Sequence, residues 1–284
     1  MTIKEALKEG LNILKPNIES AWLEAHILLG KVLEKERIYL ISHDDEVISR
    51  QAFEEYISYI NTRISGVPLQ YITGKQEFMS LDFDVNPAVL IPRAETEILV
   101  DQVLNCISDL SENNTVRVLD IGTGSGCISI CTAYYSKRAV ITAIDISKDA
   151  LQTAKQNANK HGILERIKFI ESNLFEGISE QKFDVIVSNP PYISTGTIMN
   201  LQTEVKNHEP MWALNGGDDG LDCIRRIIEE AHIYLESGGM LALEIGHDQA
   251  QRVASLIDKR AEYRNIRITK DYSGIDRVVI ANKI

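Results

Sequence analysis

The stretch that most constrains this chain is Phe183-Asp184-Val185-Ile186-Val187-Ser188-Asn189-Pro190-Pro191-Tyr192. Its apolar run, Phe183 to Val187, is short and β-branched, the pattern of a strand buried on both faces of a parallel sheet. Two prolines end the strand at once. Pro191 has no N–H to give, and Pro190 pushes Asn189 out of the helical region, so the chain beyond Ser188 is held extended with little freedom. What the strand presents at its carboxyl end is the Asn189 amide, a Pro190 carbonyl that cannot pair into a helix, and the ring of Tyr192. Open α/β sheets bind ligands at that end of their strands.

This group of residues suits a planar NH2. The Asn189 side-chain oxygen and the Pro190 carbonyl can each accept one of its hydrogens, fixing its plane and aiming the nitrogen lone pair at an electrophile, with Tyr192 stacked on it. A lone Asn-Pro would read more simply as a turn in which the asparagine caps its own backbone. Four such residues behind a buried strand are far more specific.

A chain of 284 residues exceeds one typical domain, so a large domain with a small one is expected. The 30 basic and 41 acidic side chains leave a net charge of −11, which opposes unspecific attraction to nucleic acid phosphates and anionic membranes. Cys106, Cys127, Cys131 and Cys223 form no C-x-x-C and no zinc-ligand spacing, so no metal is expected and a reduced, cytoplasmic setting is the simplest account. The amino terminus lacks the pattern of a secretory signal, and no apolar run approaches a membrane span.

Residues 1–66 read as a small helical bundle. Thr2-Ile3-Lys4-Glu5 has capping-box spacing ahead of Ala6, Leu7, Leu11 and Leu14. Ala21 to Leu33, Arg37 to Ser42 and Val47 to Ile64 carry three further helical patterns, and His26 and His43 within them have no convergent acid or cysteine and read as structural. Residues 67–94 read as a linker: turn residues around a β-prone segment from Gly66 to Gly74, then a hairpin over Lys75 to Asn86. A helix from Glu95 to Leu110 opens the larger domain, residues 95–284, with Arg93 and Glu97 as solvated or capping charges beside its start.

In that domain Val116 to Ile121 is the first strand, and Gly122-Thr123-Gly124-Ser125-Gly126 leads from it into a helix through Cys131. Glycines let the backbone approach a ligand, and the helix start offers unpaired N–H groups. The second strand, Ala139 to Asp145, ends in an acid placed to accept both hydroxyls of a ribose. Ile167 to Glu171 is the third, with Ser172-Asn173-Leu174-Phe175 at its end in a position to receive an adenine ring. The fourth strand is the opening stretch, and a long insertion from Ile193 to Gly220 follows, of the kind that shapes pockets. Met240 to Ile245, Ile266 to Lys270 and Arg277 to Ala281 complete seven strands alternating with helices and closing in a hairpin. The turn is G-x-G-x-G, with Cys127 where the dinucleotide fingerprint wants its third glycine, and the P-loop lysine is missing. A nucleoside cofactor with an amino acid tail fits better than NAD or a nucleoside triphosphate.

The Gly122 to Gly126 turn, Asp145 and Asn189-Pro190-Pro191-Tyr192 resemble class I S-adenosylmethionine-dependent methyltransferases that act on planar amino groups. Pro68-Leu69-Gln70-Tyr71-Ile72-Thr73-Gly74, Glu77-Phe78, Leu90-Ile91-Pro92-Arg93, Glu95-Thr96-Glu97 and Glu209-Pro210 narrow the resemblance to the HemK/PrmC family of peptide chain release factor glutamine methyltransferases, over nearly the whole chain. It implies a Rossmann-like α/β domain of seven strands preceded by a helical bundle and a β-hairpin linker. It implies S-adenosylmethionine as cofactor, leaving as S-adenosylhomocysteine, with Gly122, Thr123, Gly124, Ser125 and Gly126 around the methionine part, Asp145 on the ribose, and Asn173, Leu174 and Asn189 completing the cofactor site. Asn189, Pro190, Pro191 and Tyr192 would hold the substrate amide, with Asn189, Pro190 and Tyr192 as the catalytic set. Asn173 stands where the family usually has aspartate, and Leu174 where an aromatic is common, which would give packing on adenine without ring stacking.

The implied substrate is a release factor presenting the glutamine of its Gly-Gly-Gln loop to a monomeric enzyme, with the bundle as docking surface and neither nucleic acid nor membrane as partner. An amide nitrogen is a poor nucleophile, so orientation must supply most of the rate, by direct displacement without a covalent enzyme intermediate. Glu244, ending the fifth strand, is a candidate contact. Two alternatives are a nucleic acid adenine-N6 methyltransferase, which should carry a basic recognition region, and a non-enzymatic S-adenosylmethionine-binding protein, which has no need of Asn-Pro-Pro-Tyr.

Overall fold

The computed structural model describes residues 1–111, 114–179 and 181–284. They form two compact units, Met1–Gly74 with Thr203–His208, and Lys75–Gln202 with Glu209–Ile284.

The first unit is helical. Helix α1 (Ile3–Leu14) starts in a reciprocal capping box, Glu5 N–H donating to Thr2 Oγ1 at 3.2 Å and Thr2 N–H to Glu5 Oε2 at 2.8 Å. Helix α2 (Ala21–Leu33), α3 (Arg37–Ser42) and α4 (Arg50–Ile64) follow. The last begins at Arg50 and not at Val47, because Ser49 caps it through Ala52 N–H while Val47 bridges to Thr2. Ile3, Leu14, Leu28, Leu29, Leu40, Tyr56 and Ile60 are fully buried between these helices. The β-prone expectation for residues 66–74 is overturned. Leu69–Thr73 is a helix, α5, with Pro68 preset at its N-cap and Gly74, at φ +78°, donating to Gln70 O to close it. The helical unit therefore runs to Gly74 and not to residue 66. His26 and His43 hydrogen-bond through Nδ1 to carbonyls one helical turn back, Trp22 O and Tyr39 O.

In the second unit β1 (Lys75–Phe78) and β2 (Leu81–Asp84) form an antiparallel hairpin whose turn residues Met79 and Ser80 both have positive φ, the primed-turn geometry that matches strand twist. Helix α6 (Thr96–Asp109) leads to β3 (Val116–Ile121), α7 (Cys127–Tyr135), β4 (Ala139–Asp145), α8 (Lys148–Lys160), β5 (Ile167–Glu171) and β6 (Phe183–Ser188). The connection after β6 carries the short helices α9 (Thr195–Ile198), α10 (Thr203–His208, part of the helical unit) and α11 (Met211–Leu214). Helix α12 (Asp222–Tyr234), β7 (Leu235–Glu244), α13 (Ala250–Asp258), β8 (Tyr263–Lys270) and β9 (Asp276–Lys283) complete it. The seven-stranded sheet has the order β5-β4-β3-β6-β7-β9-β8, parallel except where β9 pairs with β7 and β8. Strand β7 starts at Leu235, ahead of the Met240 expected, since Leu235 already pairs with Phe183 before the register shifts by Val185. One face of the sheet packs on α6, α7 and the hairpin's Phe78 and Phe83, the other on α12 and α13.

Two buried polar side chains tie distant segments together, one in each unit. Arg63, with a side chain 7% exposed, donates to Glu24 Oε2 at 2.6 Å and to Val67 O at 3.2 Å, and pairs with Glu204 at 3.3 Å. Arg63→Ala leaves the Glu24 carboxylate buried without its cation, and urea unfolding of the full chain should show a loss of about 3–5 kcal/mol. In the second unit Asn157, fully buried on α8, accepts from Asp84 N–H at 2.7 Å and donates to Asp84 O at 3.0 Å and Ser125 O at 2.9 Å, joining the hairpin to the glycine-rich turn. Asn157→Ala strands an N–H and two carbonyls, and thermal melts should report destabilisation of about 1–3 kcal/mol.

Candidate active site

Strands β3 and β6 are neighbours in register, Ile121 opposite Ser188, so the glycine-rich turn and the Asn-Pro-Pro segment leave the sheet side by side. Between them lies a cavity of about 460 Å³. The residues expected to hold a cofactor, Gly122, Thr123, Gly124, Ser125, Asp145, Asn173, Leu174 and Asn189, all line it, as do Pro190 and Pro191.

The turn is shaped by Asp120, fully buried near the end of β3. Its Oδ2 accepts from Thr123 Oγ1 at 2.7 Å and Ser129 Oγ at 2.6 Å, while Oδ1 has no hydrogen-bond partner among the described residues. Burial pushes this carboxyl up to about 6, against the pull of the two hydroxyls. Gly126, absent from the cavity lining, serves packing: at φ +84° a Cβ there would come within 2.9 Å of Ile130 Cδ1 and 3.1 Å of Ala154 Cβ. Asp145 holds the turn from the next strand, Oδ2 accepting from Gly124 N–H and Oδ1 from Ser147 N–H, both at 2.9 Å. Burial raises its pKa and the backbone donors oppose this. Each oxygen keeps lone-pair capacity for a ribose hydroxyl.

At the far end of the cavity Leu174 sits in the left-handed region, φ +52°, its carbonyl held by Ser172 Oγ at 2.6 Å. Asn173 does not wait there as a free acceptor. Its Nδ2 donates to Glu176 Oε1 at 2.7 Å and its Oδ1 accepts from Arg226 Nη1 at 3.3 Å. Arg226, on α12, lines the cavity too and was not singled out from the sequence, where nothing marks it off from other helical arginines.

The Asn189 side chain donates through Nδ2 to Thr96 Oγ1 at 3.1 Å, so the nitrogen end of this amide is engaged within the fold and the oxygen end is left for a ligand. Among the described residues no backbone N–H takes the Pro190 carbonyl. The two acceptors read from the sequence are thus both on hand, one on each of two consecutive residues. Tyr192 departs from the stacking role expected of it. It is not among the lining residues; its ring packs with the core below the site and its hydroxyl reaches Glu244 Oε1 at 3.3 Å. Glu244 is 1% exposed, its Oε2 has no hydrogen-bond partner among the described residues, and burial pushes its carboxyl up to about 7.

Of the two charges expected to be solvated or capping, Arg93 lines the cavity and Glu97 holds the hairpin turn. Arg93 pairs with the buried Glu209, whose other oxygen accepts from Ile91 N–H at 3.3 Å, and Glu97 Oε1 accepts from Met79 N–H at 2.8 Å. Gln249, buried at the start of α13, donates to Tyr192 O at 2.8 Å and Gly220 O at 3.2 Å. The arrangement offers an acceptor pair for an NH2 group, an acidic group at the end of the neighbouring strand β4, and an apolar wall, which fits a nucleoside cofactor with a small amide or amine beside it.

Among the described residues no group of three His, Cys, Asp or Glu could hold a metal ion, and no helix is long and apolar enough to cross a membrane. The family model of the PrmC N-terminal domain matches residues 5–74, and that of the methyltransferase small domain matches residues 100–207. The release factor glutamine methyltransferase of Clostridium acetobutylicum is 42% identical over 284 residues, covering 99% of this chain and 98% of its own. That of Moorella thermoacetica is 42% identical over 282 residues with the same coverage, 99% and 98%. A solved methyltransferase from Pyrococcus furiosus matches with a TM-score of 0.51 at 19% identity, over 72% of this chain and 89% of its own, a likeness of fold. With more than 40% identity to relatives along almost its whole length, the chain belongs to the release factor glutamine methyltransferase family.

Proposed function

We propose that this enzyme methylates the side-chain amide nitrogen of the glutamine in the Gly-Gly-Gln loop of a peptide chain release factor, using S-adenosylmethionine. The observation that carries this is the Asn189 amide, anchored by its nitrogen on Thr96 in the same cavity as the glycine-rich turn, with the Pro190 carbonyl next to it. S-adenosylmethionine would supply an electrophilic sulfonium methyl. Gly122 to Ser125 would embrace its amino acid part, Asp145 its ribose, and Leu174 its adenine. Asn189 Oδ1 and Pro190 O accept the two N–H bonds of the substrate amide, which holds its plane and turns the nitrogen lone pair towards the methyl. Drawing on both N–H bonds also raises electron density on a nitrogen otherwise delocalised into its carbonyl. The extra proton leaves after transfer.

Trp212, lining the cavity while 55% exposed, gives the mouth an apolar lip suited to a peptide loop. The helical unit serves as docking surface for the rest of the substrate protein, and the chain works as a cytoplasmic monomer, since one chain supplies every group named here. A net charge of −11 argues against duplex DNA as substrate.

Methyl transfer from labelled S-adenosylmethionine tests this, with purified release factor, its loop Gln-to-Ala variant and duplex DNA as acceptors. Label should reach only the unaltered release factor, and Asn189→Ala should lower the rate roughly a hundredfold or more. Label on DNA instead sinks the proposal.

A further inference from the structure

An arginine side chain only donates hydrogen bonds, and an ionised glutamate only accepts them. An asparagine held between the two has no choice of orientation: its oxygen must face the arginine and its nitrogen the glutamate. Asn173 is held in this way. Arg226 Nη1 donates to its Oδ1 at 3.3 Å, and its own Nδ2 donates to Glu176 Oε1 at 2.7 Å. Arg226 Nη2 lies 3.5 Å from the same Glu176 oxygen and closes the ring. With side chains 45% exposed at Arg226 and 64% at Glu176, each contact alone would hold little, but closed into a network they restrain one another. Asp222, the acid one turn earlier on α12, is taken by Arg225 at 2.9 Å and leaves Arg226 to this ring.

The ring has a direction relative to the cavity. Asn173 and Arg226 line it and Glu176 does not, so the oxygen edge of the amide lies on the cavity side and the nitrogen edge is drawn away from it. Arg226 uses one lone pair of Oδ1 and leaves the other. We propose that Glu176 and Arg226 are positioning residues that set Asn173 as an acceptor at this end of the cavity, so that the site takes a purine with an amino group at C6 and rejects one with oxygen there. The amine of adenine is a donor, whereas a 6-oxo purine brings an acceptor against the Asn173 oxygen. This rests on the cofactor reading proposed above, with adenine beside Leu174, and adds what selects the base.

Exchanging the two charges reverses the ring. With Glu176→Arg and Arg226→Glu made together, the donor stands at residue 176 and the acceptor at residue 226. The opposite charges still face each other, but the Asn173 amide must turn over, its oxygen going to residue 176 and its nitrogen to residue 226 on the cavity side. The base then meets a donor where it met an acceptor.

Isothermal titration calorimetry of the purified full chain decides the matter, with S-adenosylhomocysteine and its 6-oxo counterpart S-inosylhomocysteine as probes. The two differ in the purine ring alone, so the ratio of their Kd values reads the polarity of that contact, whereas a merely structural loss weakens both alike. Wild type should favour S-adenosylhomocysteine roughly tenfold or more, and the double variant should lower that ratio roughly tenfold. Equal binding of the two by wild type, or the wild-type ratio kept in the double variant, overturns the clamp and leaves the cofactor reading standing. Should the double variant fail to fold, Glu176→Ala takes its place: it frees the amide to turn, and the ratio should fall about threefold or more. An unchanged ratio there overturns the clamp. No binding of S-adenosylhomocysteine by wild type removes the cofactor reading and the clamp with it.

Discussion

The parallel pairing of β3 with β6 is the constraint on which the rest of this structure depends. From β3 the chain moves outward to lay down β4 and β5, then returns across the sheet to place β6 on the other side of β3. The crevice at such a reversal is where open α/β sheets take ligands. Ile121 opposite Ser188, reinforced by Ser188 Oγ donating to Ile121 O at 2.7 Å, brings the glycine-rich turn and the amide-binding residues to one edge. A slip of one residue would exchange the faces of Asp120, Ser188 and all their neighbours, and the apolar packing on both sides of these strands forbids it. One register thus sets the separation between the proposed cofactor and substrate subsites.

Three carboxyls sit behind that edge, Asp120, Asp145 and Glu244, and burial raises the pKa of each. Burying an acid is costly unless its surroundings use it. Asp120 gathers Thr123 and Ser129 and so bends the turn; Asp145 gathers the Gly124 and Ser147 N–H groups and keeps lone pairs for a ligand. Glu244 differs in being the least satisfied of the three: Tyr192 Oη reaches its Oε1 at 3.3 Å and its Oε2 has no hydrogen-bond partner among the described residues. Backbone donors have fixed polarity and hydroxyls do not, so the shape held at Asp145 is set by the backbone, while that at Asp120 depends on two hydroxyls pointing their protons at it.

Much of the sheet was legible because its signals are local. A β-branched run, a glycine turn and a terminal acid each declare a strand or its end within a few residues, and their alternation gives the order. Leu69–Thr73 was not legible, since Tyr71, Ile72 and Thr73 look β-prone and only the Pro68 cap and the Gly74 terminator make the segment helical. The supports of the site were the least legible. Thr96 and Asn157 are ordinary polar residues on amphipathic helices, and their partners lie 93 and 73 residues away. Tyr192 was misplaced for the opposite reason: the three residues before it, Asn189, Pro190 and Pro191, line the cavity, while its own side chain turns down to Glu244.

The insertion after β6 shows why such distant supports are needed. Ile193 N–H donates to Leu214 O at 3.0 Å and Gly216 N–H to Ile193 O at 2.8 Å, while Gln249 ties Tyr192 and Gly220 together and Glu209 accepts from Arg93. At Gly216 the backbones come so close that a Cβ would stand 2.7 Å from both Pro191 O and Gly220 O. The segment leaving Asn-Pro-Pro-Tyr and the segment returning to α12 are therefore laid flat on each other and pinned from two further elements. An amide nitrogen reacts only when its lone pair is held in line with its electrophile, and misplacement by about 1 Å is enough to lose two orders of magnitude in rate. The proposed acceptors, Asn189 Oδ1 and Pro190 O, are therefore only as good as the backbone beneath them, and the fold has used its irregular segment to stiffen that backbone on the side the sheet does not reach.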